Sequence, residues 1–345
     1  DFTGEFTPPL VSVVFAAYNE SSIIEAKIRS IYNTNYPIDK LSVWIGSDLS
    51  NDGTDEIIRN LQSEFPQLNL HVNDNRSGKS ATINYLIEQT TAEVIIATDA
   101  NILFKETTIE ELVRPIALQK ATAVAGTLAY EAGGVINSTA TNEKVYLSLE
   151  NAIRRAESRK HGICFGMEGG LYSMRKSFWK PIPPNTFMED FFQTVQLIAS
   201  DQKVLFNEAA IGLEDVSTSL REEYKRKIRI SIGNWQNLIR FYPLLFKHPY
   251  PFGILFLMHK VLRWLTPHLY LIALIAGLFT SQWLIISIVL IGLPVSQFIL
   301  MSFGLATPLA YFYVMNTALF VGFLRYLKGV KSSVWQPTKR NQHES

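Results

Sequence analysis

Short apolar runs, each closed by polar or turn-forming residues, recur through the first half of the chain. The runs at 11–16, 41–46, 68–72, 94–98 and 122–128 are rich in Val, Ile, Leu and Ala. Their length and β-branched content predict strands. Between them, helical patterns begin near Ser22, Asp55, Ser80 and Thr108. Strands that are apolar on both faces fit a parallel sheet covered on both sides. Strand–helix alternation implies right-handed crossovers and a doubly wound α/β sheet. Such sheets bind ligands at the carboxyl ends of their strands. Asp48 in "IGSDLSNDGTDE" and Asp99 in "ATDANILF" stand at two of those ends. The expectation is that these distant carboxylates converge on one crevice.

The second half has a different pattern. Residues 221–245 interleave Lys225, Arg226, Lys227, Arg229 and Arg240 with Ile228, Ile230, Ile232, Trp235, Leu238 and Ile239. A basic amphipathic helix of this kind suits an anionic membrane surface. The stretch "FGILFLMHKVLRWL" reads similarly, because His259, Lys260 and Arg263 are too central for an ordinary span. Between Trp264 and Leu324 there is no Asp, Glu, Lys or Arg. A bilayer-crossing helix needs about 20 apolar residues. Segments near 265–280, 283–303 and 306–324 are therefore expected in a membrane. Three crossings after a cytosolic domain would leave the basic tail (Lys328, Lys331, Lys339, Arg340) outside, against the positive-inside tendency. The 265–280 segment, with Pro267 and His268, is the first candidate for a re-entrant or interfacial piece. The expected division is 1–215 soluble domain, 216–263 interfacial helices, 264–327 membrane segments and 328–345 tail.

Composition narrows the classes. A net charge of +1 over 345 residues gives no electrostatic footprint for nucleic acid. The single cysteine, Cys164, excludes an intrachain disulfide and a Cys-based metal cluster, and reads as a small buried hydrophobe. The sequence starts at Asp1 rather than Met, and at least one upstream membrane segment is expected.

Four motifs carry candidate chemistry. In "SDLSNDGTDE", Asn51-Asp52-Gly53 makes a good turn and Thr54 a plausible N-cap, which accounts for Asp52 but less well for Asp48. In "TDAN", Asp99 and Asn101 offer a carboxylate and a neutral oxygen, hard donors suited to Mg²⁺ or Mn²⁺ shared with phosphates. In "RSGKSATIN", Arg76 and Lys79 flank Gly78 at a helix start, a place that suits an anion or a solvated basic cap. The spacing is not that of a Walker A loop, and no G-x-G-x-x-G follows the first strand. In "PPNTFMEDFF", Thr186 and Glu189 fit a capping box, while Asp190 admits either a helix-dipole or a chemical role.

Taken in order, "VSVVFAAYNE", the Asp48 segment, "GKSATIN", "TDAN", "GGLYSMR", "MED" and a basic R-x-x-R helix resemble glycosyltransferase family 2. The resemblance is to its membrane-bound branch, which includes cellulose, hyaluronan, chitin and poly-N-acetylglucosamine synthases, and it covers about residues 8–240. It implies a GT-A fold, a Rossmann-like doubly wound catalytic domain, followed by interfacial and transmembrane helices. It also implies inverting transfer of a hexosyl or N-acetylhexosaminyl group from a nucleotide-sugar, with a UDP-sugar expected. The implied acceptor is a growing saccharide or a lipid-linked molecule, in exopolysaccharide or envelope-glycan synthesis. By the resemblance, Ala17, Tyr18, Glu20 and Asp48 line the nucleoside pocket with Lys79 nearby. Asp99 sits by the diphosphate and its Mg²⁺ or Mn²⁺, with Asn101 in the second acidic position. Asp190 matches the general base, Glu189 precedes it near the acceptor, and Arg226 and Arg229 match the element that meets the diphosphate or acceptor channel. The implied setting is an inner or plasma membrane with the catalytic domain cytosolic and the lipid bilayer as partner; partner subunits are unknown.

Departures from the pattern bear on the product. Ala16 stands where proline is usual and Asn101 where an acid is. The processive synthases' Q/R-x-x-R-W ends here in Ile230, and Trp235 lies more than one helical turn further on. Long-polymer synthesis is therefore not implied. Trp335, in the "VWQPTKR" tail, would pack near the active site if the tail is cytosolic; deletion of 332–345 tests this. A non-catalytic membrane receptor with a transferase-like, nucleotide-binding domain is the alternative reading. A transporter is disfavoured, since the charge-free segments offer no ionisable residue beyond His268 and tyrosines.

Overall fold

The computed structural model describes residues 2–130, 138–167, 170–214, 220–302 and 307–329. They form two units. One takes in residues up to 130 and 149–214, and the other 138–148 and 220–329.

The first unit is built on an eight-stranded sheet in the order β3-β2-β1-β4-β7-β6-β8-β5. The strands are β1 (Val11–Ala17), β2 (Leu41–Ser47), β3 (Leu68–Val72), β4 (Val94–Thr98), β5 (Leu103–Phe104), β6 (Ala123–Tyr130), β7 (Leu171–Arg175) and β8 (Val204–Glu214). β1 lies parallel between β2 and β4, with Val11 opposite both Leu41 and Val94. Every residue of β1 and β4 is buried, as expected for a strand covered on both faces. The five strands foreseen from the sequence are present within a residue or two of their expected ends. The sheet is not wholly parallel, however. β7 enters antiparallel between β4 and β6, pairing Ile96 with Ser173, and the two-residue β5 closes the far edge antiparallel to β8. β7 and β8 escape a hydrophobicity reading because "LYSMR" and "VLFNEAAIGLE" mix polar residues into short runs.

Helices cover the sheet. α1 (Ile24–Tyr32) buries Ile24, Lys27, Ile28 and Ile31, one helical stripe with a lysine in it. α2 (Thr54–Leu61) starts one residue earlier than expected. Gly53, at φ 93°, is its N-cap, and Thr54 is its first residue. Asp52 Oδ1 accepts from both the amide and the hydroxyl of Thr54, so the cap is made by Asp52 from two residues back. α3 (Lys79–Gln89), α4 (Thr108–Ala117) and α6 (Glu189–Ala199) complete the set, and α5 (Ser138–His161) belongs to this unit from residue 149 onward. The expected capping box at α6 is not formed. Met188, at φ 57°, is the N-cap, no side chain caps the helix, and Thr186 Oγ1 is buried without a hydrogen-bond partner. Cys164 is buried, as its lone occurrence suggested.

The second unit is helical. α7 (Leu220–Lys247) spans the basic amphipathic segment. It packs on the helix Pro308–Leu327, where Ser231 Oγ donates to the Leu319 carbonyl at 2.6 Å. Gly322 permits that approach, since a Cβ there would lie 2.4 Å from Ser231 Cβ. Trp235 belongs to an aromatic cluster in this unit, 4.5 Å from Phe323 and 5.2 Å from His268 between ring centroids. The expected apolar segments appear as helices Leu262–Gly277, Trp283–Ser302 and Pro308–Leu327. Among the described residues, Trp283–Ser302 alone is long and apolar enough to cross a membrane. Lys331, Trp335, Lys339 and Arg340 lie outside the described residues.

Candidate active site

The carboxyl ends of β1, β2 and β4 open toward the N-termini of α3 and α6. At the first of these ends, the fully buried Asp48 organises the loop that leads into α3. Its Oδ1 accepts from Asn73 Nδ2 at 3.0 Å and Ser77 N at 2.7 Å, and Gly78 N lies 3.2 Å from both oxygens. Its Oδ2 pairs with Arg76 Nε at 3.0 Å. Gly78 holds φ 80°, a left-handed conformation that a side chain would strain, and so points its amide at the carboxylate. The Arg76 guanidinium stacks 3.3 Å from the Tyr18 ring centroid, and the Asp48 amide donates to the Ala17 carbonyl at 2.9 Å. Glu20 is fixed through its amide, which donates to Thr54 Oγ1 at 2.9 Å. Ala17, Tyr18, Glu20, Asp48 and Arg76 are thus gathered by mutual contacts at the carboxyl ends of β1 and β2.

Asp48→Ala leaves the buried donors Asn73 Nδ2 and Gly78 N without this acceptor. An unsatisfied buried donor costs about 1–3 kcal/mol. The variant is expected to be destabilised by that order, read as a lower urea midpoint at unchanged slope.

Lys79, the first residue of α3, joins the remaining ends. Its Nζ lies 2.6 Å from Asp99 Oδ1 and 2.5 Å from Glu189 Oε1. Burial works against the charged form, but the two carboxylates outweigh it and hold the ammonium well above the usual lysine range. Lys79 and Asp99 remain 26 % and 39 % exposed, so the bridge faces an opening rather than the core. Glu189 is therefore a partner of Lys79 and not of a helix cap. Asp190 is almost wholly buried and accepts from the Phe191 amide at 2.8 Å through Oδ1. Buried Tyr172 of β7 stands within the field of Asp190, Glu189, Lys79 and Asp99. Burial first, then Asp190, pushes its phenol far above the ordinary range.

The other polar residues of "GKSATIN" fasten α3 to the segment before α6. Ser80 Oγ donates to the Thr186 carbonyl at 3.1 Å. Asn84 clasps Ile182 through both backbone groups, each at 2.9 Å. Thr82 Oγ1 accepts from Asn73 and donates to Gly78 O. The motif thus fixes where Glu189 and Asp190 stand, a task its sequence did not disclose.

Asp99 and Asn101 are the candidate cation donors. Asn101 is partly buried and its Nδ2 has no hydrogen-bond partner. No group of three His, Cys, Asp or Glu side chains suited to a metal occurs among the described residues. One carboxylate and one carboxamide are hard donors but too few for a metal cage, so a cation held there would need phosphate oxygens to complete its shell. Arg226 and Arg229 belong to α7 in the second unit. There Arg226 Nη1 lies 3.5 Å from the buried Glu223, which Lys227 also pairs at 3.1 Å, and Arg229 is exposed.

Residues 12–180 match the model for glycosyl transferase family 2. The chain carries a family 2 glycosyltransferase domain. A β-monoglucosyldiacylglycerol synthase of Trichormus variabilis is 34% identical over 27% of this chain, a match spanning 20% of that protein's length. A poly-β-1,6-N-acetyl-D-glucosamine synthase of Staphylococcus epidermidis is 24% identical over 68% of this chain and 57% of its own. The chain thus spans little more than half, and in the first case a fifth, of these relatives. Among solved structures, a Pyrobaculum calidifontis mannosyltransferase in complex with GDP-Man and Mn²⁺ matches with a TM-score of 0.68 and 21% identity, over 93% of this chain and 88% of that one. The likeness establishes a GT-A-like fold on the mixed sheet, in place of a purely parallel one.

Proposed function

We propose that this protein is an inverting glycosyltransferase, passing a sugar from a nucleotide-sugar to a growing saccharide or lipid-linked acceptor at a membrane surface. The observation that carries the reading is the Asp99–Lys79–Glu189 bridge, which brings the strand-end acid beside the Glu189–Asp190 pair from far along the chain. A diphosphate leaving group needs cationic neutralisation on one side of the sugar and a base on the other. The site offers both. Asp190 takes the proton of an acceptor hydroxyl as that oxygen bonds to C1. The C1–O bond to the diphosphate breaks, and the electron pair leaves with the phosphate. Within the first unit, Lys79, and Arg76 beside Tyr18, are the cations that meet the developing charge. A Mg²⁺ or Mn²⁺ ion held by Asp99 and Asn101 would supply further Lewis-acid neutralisation.

Ala17, Tyr18, Glu20 and Asp48 form the nucleoside wall in this reading, Glu189 borders the acceptor, and Arg226 and Arg229 serve the diphosphate or acceptor path. The almost wholly exposed apolar helix Trp283–Ser302 supports a bilayer setting, with residues 1–215 as the catalytic part and α7 at the interface. An exopolysaccharide or envelope glycan is the proposed product class.

The test supplies membranes bearing the protein with labelled UDP- and GDP-sugars, with Mn²⁺ or with chelator. Products are separated by size and by lipid extraction. Metal-dependent transfer from one donor is the expected result. Tight nucleotide binding with no transfer to any saccharide or lipid fraction would instead make the domain a receptor.

A further inference from the structure

Lys27 is fully buried within the apolar stripe of α1, where its neighbours Ile24, Ile28 and Ile31 pack on the sheet. No ion pair satisfies it among the described residues. Its Nζ donates to Thr98 Oγ1 at 3.1 Å and to the Ile102 carbonyl, and lies 3.8 Å from the centroid of the Phe104 ring. Those two acceptors are the ends of the turn that presents Asp99 and Asn101. The turn is closed by Ile102 N on Asp99 O at 3.3 Å, and Thr98 Oγ1 also reaches the Gly170 carbonyl at 2.7 Å. A methionine would fill the same volume without the cost of burying an amine, which runs to several kcal/mol for an ion. The core therefore does not require a lysine here, and the two groups that accept from it both belong to the turn above.

We propose that Lys27 is a positioning residue that clamps both ends of the Thr98–Ile102 turn from beneath and so sets Asp99 and Asn101 for a metal-bound nucleoside diphosphate. This deepens the transferase reading and rests on it. Lys27 touches no substrate. It acts through the turn, as supporting partners of metal ligands do when their loss costs about 10–100-fold in affinity.

The test compares native protein with Lys27→Met and Lys27→Gln, each as the full chain in detergent. UDP and GDP are titrated calorimetrically with Mn²⁺, and thermal unfolding is recorded in parallel. Lys27→Met is expected to lose about 10–100-fold in nucleotide affinity with a melting temperature equal to or above native. Lys27→Gln keeps a donor near the turn and is expected to lose less. A role confined to the core would show the opposite, with a lowered melting temperature and native affinity in the protein that remains folded. That result, or failure of both variants to fold, overturns the proposal. Native protein that binds neither nucleotide overturns the donor reading and this inference with it, whereas native protein that binds while both variants match it overturns the inference alone.

Discussion

Asp190→Asn is expected to reduce transfer by about 10²–10⁴-fold, the usual worth of general-base assistance, with nucleotide affinity essentially native. The substitution keeps the shape of the side chain and its acceptance of the Phe191 amide, so the N-terminus of α6 is preserved. It removes the negative charge and with it the capacity to take a proton. In steady-state terms kcat falls and the donor KM stays, the signature of an interaction made in the transition state alone. Single-turnover transfer beside nucleotide titration reads both quantities. A parallel loss of affinity would show that Asp190 holds the donor instead, and the base would have to be sought elsewhere.

Asp99→Asn should give the complementary pattern. Asp99 is the carboxylate of the proposed cation site and one of the two acids on Lys79. Neutralising it removes a ligand charge, and nucleotide affinity in Mn²⁺ is expected to fall by at least the ~10–100-fold that losing a ligand's supporting partner costs. The residual binding should no longer respond to chelator. Glu189 still pairs Lys79, so the bridge is halved rather than lost, and the loss of charge on a part-exposed acid should leave folding little changed. Calorimetry with and without EDTA decides it. Affinity that keeps its full metal dependence would exclude Asp99 as the cation ligand. Together the two variants separate binding from chemistry: one removes the rate and keeps the donor, the other weakens the donor itself.

The parallel half of the sheet was legible because Val11–Ala17 and Val94–Thr98 are short, β-branched and nearly all apolar, with only Ser12 and Thr98 polar, as a strand covered on both faces should be. β7 was not, because Tyr172, Ser173 and Arg175 interrupt its apolar pattern and its direction is set by pairing with β4 and β6 rather than by local sequence. The strand-end acids were visible from position alone. Their partners were not, since nothing in the spacing of Lys79 and Glu189 announces contact across the site. The capping-box reading of Thr186 and Glu189 failed because Met188 adopts a left-handed conformation, which turns the chain before a cap can form. Lys27 carried a usable signal: it falls on the same helical stripe as Ile24 and Ile31, where a surface lysine does not belong.

The strand order also fixes a sequence of events during synthesis. β1 to β4, four neighbours in the sheet, are complete once Thr98 has left the ribosome, whereas β7, which extends them, begins only at Leu171. Chains emerge from the N-terminus, whereas a domain folds as a unit. The strand ends bearing Asp48 and Asp99 are therefore synthesised well before α6. Glu189 is the last of the three bridge residues to be made, so the second arm of the Lys79 bridge waits for the end of the domain.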